Sequence, residues 1–600
     1  MREYIYLWVH EYVLLGKDDS EKNRYLFENI GIPLSSKYEI NDNFDEESKK
    51  LTVNVKKCCE SDNINYFSEH ISDLVAIVGD NGSGKSSILR LLKSILTNGE
   101  GDIADDIGYL LLYVDKQDDK QIMRGKYTLR EKGIEFEVSP NLNENKIDIG
   151  TIYKKEPHKS DYLVFYSPFF NVSKGLFHGD YHGSRDISTE NIIGSHSEKL
   201  HNPRAGKERF FDRLESYSSY EQQIELDFVA DFLKNEGELP MDLPTYMRIK
   251  NNSYVIALLK NELHENEDER WFGIIEKMEE RINSLKDRIY LSAFVSLYRS
   301  YNSSSFNPFA DRFDNITEET NIEDALNAVE FGIVSELEKM ITLIEENLKR
   351  LSFDDYWYLL FIRQRKEELK QIMNLHYNIS KKHHLLTPFL LFERQRLSTG
   401  EDNFIQFFAR FYHIWKDIPS EDLLNAKDIV FLIDEGEANF HPEWQRKYLK
   451  MLIDWIELIM KKLKNDEVIE RIPKFQVILS THSPFVACDL PKNNMVRLKL
   501  KEKNNKDDFK SVGVLDALEQ KNTGIGASII DLLKNDFFIK STVGALAVDK
   551  ITKMVEEIRE YSYEKMSTES KYVFDNLGMQ FIKKFLKEGN ANDENTNNKQ

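Results

Sequence analysis

The sequence predicts an α/β protein: a mixed central sheet with flanking helices, a small β-subdomain in front of it, and a large helical insertion between its two halves. Three observations carry this. A buried apolar run, Val75 to Val78, leads into a glycine-rich turn and then an apolar-periodic helix, Ile88 to Leu92. A second apolar run, Val430 to Ile433, stops at two consecutive carboxylates, Asp434 and Glu435. Between them, the stretch 211–385 carries two seams of apolar positions that recur every three or four, the period of a helix face.

The first of these elements organises the chain. Gly79 begins an eight-residue turn, GDNGSGKS, that matches G-x-x-x-x-G-K-[ST] and ends in Gly84, Lys85 and Ser86. Glycines let successive backbone N–H groups face one anion, and the following helix N-terminus adds its positive dipole. The turn is therefore a phosphate cradle, with Gly79, Asn81, Gly82, Gly84, Lys85, Ser86 and Ser87 as candidate nucleotide-binding residues. Lys85 is placed to reach the β- and γ-phosphates of ATP, and the Ser86 hydroxyl to complete a Mg²⁺ shell.

In chain order, YIYLWV, RYLFENIGI and KLTVNVKK between residues 4 and 57 read as strands of the leading β-subdomain. After the cradle, YLLLYV (109–114), IEFEV (134–138) and YLVFYS (162–167) read as further strands. Residues 172–210 are rich in Gly, His, Ser and Asn; His178, Asp180 and His182 lie there without the rigid spacing of a metal site, so a surface loop is expected. From 211 to 385 the pattern is helical. Ile275, Met278, Ile282, Leu285 and Ile289 form one seam, and Val334, Leu337, Ile341, Ile344, Leu348 and Leu351 another. Each seam lasts about two heptads, which suits either a short projecting arm or a globular bundle.

The second apolar run, DIVFLIDE, delivers Asp434 and Glu435 at a strand's C-terminal end. Asp434 is the candidate Mg²⁺ ligand beside Ser86, and Glu435 the candidate base that polarises an attacking water. Upstream, RQRLSTGEDNFIQFF opens a helix at Leu397-Ser398-Thr399-Gly400-Glu401, and downstream FQVILSTHSPFV ends a strand at Thr481 and His482. Ser398 with Glu401 also forms a helix-capping pair.

The order of cradle, LSTGE, Asp-Glu pair and strand-end histidine resembles the ABC-type P-loop ATPase head. The resemblance implies that Ser398 and Gly400 form a signature that contacts a γ-phosphate, that His482 is the switch histidine, and that two heads sandwich ATP so that each signature completes its partner's cradle. Thr399, Glu401 and Gly436 depart from the transporter pattern, and Lys85 and Ser398 lie far further apart than in a transporter cassette. DEGEANFHPEWQ and STHSP resemble OLD-family and RecF-like ATPases and the ATPase subunits of bacterial anti-phage systems. The segment 522–551 is similar to the tail of PtuA-type ATPases of Septu and retron systems, which work with a separate HNH nuclease. No D-x-D strand end typical of an OLD nuclease follows residue 490. The resemblance thus implies a head dimer controlling a nuclease or other effector in trans. A DNA-clamping repair or structural-maintenance ATPase and a self-contained nuclease are the alternatives.

The expected division is 1–170 and 386–500 for the two halves of the head, 171–385 for the insertion, 501–588 for a C-terminal helical region and 589–600 for a polar, disordered tail. Composition fits. A net charge of −21 over 600 residues argues against general adhesion to DNA or anionic lipid, although Arg363, Arg365, Lys366, Lys381 and Lys382 could line a local groove. Three cysteines, two of them adjacent, build neither a disulfide framework nor a metal knuckle. No apolar run reaches the ~18 residues that a membrane helix needs, so a cytoplasmic location is expected.

Overall fold

The structure is a computed structural model that describes residues 2–577 except 14–24, 59–65, 98–106, 118–119, 130–132, 141–146, 154–161, 170–183, 190, 193–220, 222–223, 230–245, 303–309, 348, 351–357, 362–364, 384, 386, 396, 418–427, 465–473, 501–511, 516–523, 540 and 561–564. Its centre is a seven-stranded sheet. The strands run in the order Ser184–Asp186, Tyr162–Tyr166, Asp428–Asp434, Lys474–Ser480, Ile71–Gly79, Met495–Leu500 and Val512–Leu515. All neighbours are parallel except the last pair, which is antiparallel. A parallel sheet buried on both faces needs strands that are apolar throughout, and Ile71–Gly79 and Asp428–Asp434 are buried at every position.

The two-residue period of a strand divides these runs between two cores. Leu74, Ala76, Val78, Ile429, Phe431, Ile433, Val477 and Leu479 face one core with the middle helices. Val75, Ile77, Val430, Leu432 and Ile478 face the other, with the helix Lys85–Thr97 and its Ile88, Leu89, Leu91, Leu92 and Ile95. That second core is closed by a five-stranded mixed sheet, ordered Tyr25–Pro33, Arg2–Val13, Tyr109–Gln117, Lys120–Tyr127, Ile147–Tyr153. A three-stranded sheet of Tyr38–Asp45, Lys50–Lys57 and Glu135–Pro140 packs behind it through a third core. Gln476, buried in the central sheet, joins the layers: its amide accepts from Tyr4 N at 2.8 Å and donates to Tyr4 O at 2.7 Å and Leu34 O at 3.1 Å.

The middle of the chain, expected as a helical bundle or short arm, contains strands as well as helices. The helices Ser253–Glu265, Glu269–Glu280, Leu285–Asn302, Ile322–Val329, Ile333–Asn347 and Lys366–Lys382 pack on one another and share the first core with the central sheet. They are joined by a four-stranded antiparallel sheet of Lys349–Arg350, Tyr358–Phe361, Tyr246–Asn251 and Leu390–Arg394. The first apolar seam is interrupted after Glu280. Ser284 caps a new helix there, its hydroxyl accepting from Asp287 N at 3.1 Å while Asp287 Oδ2 accepts from Ser284 N at 3.1 Å. The second seam ends with its helix at Asn347, before Leu348 and Leu351, which lie outside the described residues. The seam residues from Ile275 to Ile344 face the common core, so the described part of the insertion is a packed α+β body rather than an arm. The region 501–588 likewise contains a strand, Val512–Leu515, before its helices Ile529–Asn535, Ala545–Glu560 and Thr568–Asp575. The tail 589–600 lies outside the described residues.

Candidate active site

The glycine-rich turn is shaped by close approach. Gly79 has φ of +142°, and a Cβ there would lie 2.0 Å from Leu498 O on the neighbouring strand. Asp80 N donates to that carbonyl at 3.1 Å, and Leu500 N returns a bond to Asp80 Oδ2 at 3.1 Å. The turn is thus riveted to Met495–Leu500. Gly82 and Gly84 sit at φ of +77° and +83°, which favours glycine. Asn81 and Gly82 are exposed, Ser83 is buried, and Ile88 N donates to Gly84 O as the helix begins. Ser87 faces the Tyr12 hydroxyl.

Lys85 is 4% exposed, and its ammonium donates to Gly79 O at 3.1 Å and Asp80 O at 2.9 Å. Burial lowers its pKa to about 8, opposed by the negative charges of Glu435, Asp80 and Asp434. The cation therefore waits in a desolvated position that an anionic ligand would relieve.

Asp434 and Glu435 arrive at the C-terminal end of their strand, beside the cradle. The Ser86 hydroxyl donates to Asp434 Oδ1 at 2.8 Å, Ser480 Oγ to the same oxygen at 2.7 Å, and Ser167 Oγ lies 3.4 Å from Oδ2. Burial raises the Asp434 pKa, and the bonds from Ser480 and Ser86 oppose that shift. Glu435 has φ of +47°, held by its N–H donating to Ser480 O at 3.2 Å and Ser480 Oγ at 3.1 Å. A non-glycine residue in the left-handed region is sustained only by such surrounding bonds. The carboxylate it presents is partly exposed, and Glu435 Oε1 lies 3.3 Å from His482 Nε2. Lys85, Ser86, Asp434, Glu435 and His482 thus converge at adjoining strand ends, where ligands bind in open parallel sheets.

Ser398 and Gly400 lie at the start of a separate helix. Ser398 is exposed before the helix Thr399–Asp417; its N–H donates to Glu401 Oε2 at 2.7 Å, and its Oγ accepts from Glu401 N at 3.3 Å. The capping pair is therefore formed. Gly400 faces Trp444, Asn439 O and His441 N, where a Cβ would approach to 3.1 Å. The helix behind it presents Phe404, Phe407, Phe408 and Phe411, spaced at three and four, to Phe431, Phe440 and Tyr448. Gly436 fits against this wall: a Cβ there would lie 2.3 Å from the Tyr448 hydroxyl and 2.9 Å from Phe407.

His178, Asp180, His182 and Arg363 lie outside the described residues. Among the described residues, no group of three or more His, Cys, Asp or Glu side chains is arranged to hold a metal. Of the basic stretch, Arg365 pairs with Glu368 at 3.2 Å and Lys382 with Glu336, so both charges are offset. No described helix is long and apolar enough to cross a membrane.

Sequence reasoning missed Asp80, Ser167, Ser480 and Glu437. The serines close the runs YLVFYS and QVILS, and parallel register aligns them with the acids: Ser480 is the partner of Asp434, and Tyr166 the partner of Ile433. A hydrophilic residue closing each buried strand was the available signal.

No curated protein matches the chain. A family model described as an AAA ATPase domain matches residues 57–487, a span that runs from before the cradle to beyond His482, and the chain belongs to that family of P-loop ATPases.

Proposed function

We propose that this chain binds and hydrolyses ATP as the ABC-type ATPase subunit of a bacterial anti-phage system, its paired heads controlling a separate nuclease or other effector. The observation that carries the ATPase reading is the junction of cradle and acids: Ser86 Oγ to Asp434 at 2.8 Å, with Glu435 and His482 3.3 Å apart beside it. The donor set fits the expected ligand. A serine hydroxyl and a carboxylate are the hard oxygen ligands Mg²⁺ takes, and the exposed turn at Asn81 and Gly82 leaves backbone accessible to phosphate. Mg²⁺ brought with ATP would neutralise charge on the β- and γ-phosphate oxygens.

The residues divide the work as follows. Lys85 exchanges its two carbonyl partners for phosphate oxygens, and the gain in solvating a buried cation favours binding. Ser86 and Asp434 hold the metal, with Ser480 and Ser167 fixing the carboxylate. Glu435 accepts a proton from the attacking water, and His482, on the far side of that carboxylate, orients it and meets the γ-phosphate. Ser398, exposed at the start of its helix, and Gly400 beside it serve the cradle of a second copy, with the helix N-terminus as anion site.

The defence role and the partner in trans rest on the resemblance of DEGEANFHPEWQ, STHSP and 522–551, and capture of the neighbouring gene's product by the purified chain is the test. The ATPase reading is tested by turnover in Mg²⁺. Phosphate release by the wild type and loss of nucleotide binding by Lys85→Ala are expected, and unaltered affinity in that variant overturns the cradle assignment.

A further inference from the structure

One buried acid at the site has no role in the chemistry above. Glu437, two residues after Glu435, is 3% exposed. Its Oε1 accepts from the Thr481 hydroxyl, while Oε2 has no hydrogen-bond partner among the described residues. Thr481 immediately precedes His482, and its Oγ1 in turn accepts from Ser483 N at 2.9 Å. Both neighbours of His482 are therefore tied, through one hydroxyl, to one carboxylate. The backbone N–H of His482 itself interacts favourably with the same group. Thr481 N is anchored separately on Ile77 O at 3.2 Å, and Ser483 Oγ on Gln445 Oε1 at 2.8 Å, so the loop is held on both flanks.

An unexposed carboxyl with one unpaired oxygen costs stability, and burial raises its pKa to about 7. An apolar residue would fill the same space more favourably if packing were the only requirement. The one thing Glu437 does that such a residue would not is accept the Thr481 hydroxyl and turn the 481–483 loop, which sets His482 Nε2 3.3 Å from Glu435 Oε1. Among the described residues, the charged and hydroxyl groups around it are Glu435, Thr481 and Tyr448, the last buried with its hydroxyl lacking a hydrogen-bond partner there. No cation is among the described groups acting on Glu437.

We infer that Glu437 is the positioning residue for His482, holding the strand-end loop so that the histidine addresses Glu435 and the phosphate. This deepens the ATPase reading and rests on it. The side chain acts through Thr481 and His482 rather than on the reacting atoms.

The test is a double-mutant cycle on the full-length chain, with steady-state hydrolysis and nucleotide affinity measured separately. His482→Ala and Glu437→Ala each lower kcat, the latter by about tenfold, the scale of losing an orienting partner, while nucleotide affinity changes less than kcat. Added to His482→Ala, the Glu437 change has no further effect on kcat, because the group it aims is gone. Glu437→Gln, which can still accept from Thr481, restores most of the rate lost in the alanine variant. Thr481→Val, which removes the hydroxyl but keeps the shape, reports the same link should the alanine variant fold poorly, and its loss too disappears in the His482→Ala background. Multiplicative losses in the double variants overturn the inference. So does a Thr481→Val chain with wild-type kcat. If His482→Ala turns over normally, the role of His482 itself fails and Glu437 has nothing to position; if the wild type does not hydrolyse ATP at all, the functional reading fails first.

Discussion

Lys85 makes a free-energy prediction that can be separated from every other group by one substitution. In the nucleotide-free chain its pKa is lowered to about 8 from an ordinary 10.5, chiefly by burial. Between those values the unfolded chain holds a proton that the folded chain has released. The unfolded state therefore binds more protons, and stability rises with pH through this window. Below pH 8 both states are charged, and the folded state bears the whole cost of a buried ammonium. The full shift corresponds to about 3 kcal/mol at 1.36 kcal/mol per unit, of which about 2 kcal/mol is recovered between pH 7 and 9.5. Lys85→Met keeps most of the volume and has no proton to release. Urea unfolding of the nucleotide-free wild type and the variant, at pH 7 and again at pH 9.5, isolates the lysine, since every other titration is common to both. The wild type should gain about 2 kcal/mol relative to the variant over that interval. A difference between the two chains that does not change with pH refutes the account of Lys85 as a desolvated cation awaiting phosphate. The same ionisation makes nucleotide affinity fall as pH rises above about 8 in the wild type, which equilibrium binding reads directly.

Three further substitutions probe other parts of the site and its supports. Glu435→Gln should keep nucleotide affinity and slow hydrolysis by about 10² or more, the range for loss of a general base; unchanged single-turnover phosphate release removes Glu435 from that role. Gly79→Ala should abolish nucleotide binding and lower the melting temperature, because the new Cβ meets Leu498 O at 2.0 Å, whereas Gly82→Ala, whose Cβ meets nothing within 4 Å, carries only a backbone cost of about 1 kcal/mol. Equal effects of the two would contradict the geometry of the turn. Arg410→Met should cost about 3 kcal/mol in denaturant unfolding, since Arg410 Nε bonds the buried Glu221 at 3.0 and 3.2 Å and Nη1 bonds the partly buried Thr189 Oγ1 at 3.0 Å. A loss under about 1 kcal/mol would show that the buried Arg410–Glu221 pair does not anchor the helix Thr399–Asp417.

What the sequence made legible follows from how local each signal is. The turn, its strand and its helix are set by consecutive residues, so GDNGSGKS could be read directly. The strand Tyr38–Asp45, YEINDNFD, carries little strand signal because Asn and Asp dominate it, yet Tyr38, Ile40 and Phe44 alternate inward onto the third core while Glu39, Asn41, Asn43 and Asp45 face away. Lys120–Tyr127, KQIMRGKY, was missed for a related reason: its neighbours supply the apolar cover, and Met123 alone of its middle residues is a fully buried hydrophobe. The seam from Ile275 to Ile289 has helical spacing on both sides of a break, and the capping pattern Ser284-x-x-Asp287 that makes the break lay in the same stretch. Within the site, residues named by motif order could be found, whereas Ser480, Ser167 and Glu437 gain their partners from the register of separate parallel strands and the turns that follow them. Register is a property of the sheet, not of any one run.

The central claim is that the exposed signature of one chain serves the cradle of another. Mixing two inactive variants, Lys85→Ala and Ser398→Arg, tests it most directly. In a mixed pair, the cradle of the Ser398→Arg chain faces the intact signature of the Lys85→Ala chain, so one complete site is rebuilt. With random exchange between equal amounts, turnover should return to about a quarter of the wild-type rate, since half the pairs are mixed and each holds one working site of two. No recovery above the two variants measured alone, with mixed pairs demonstrated by differently tagged chains, would contradict the claim.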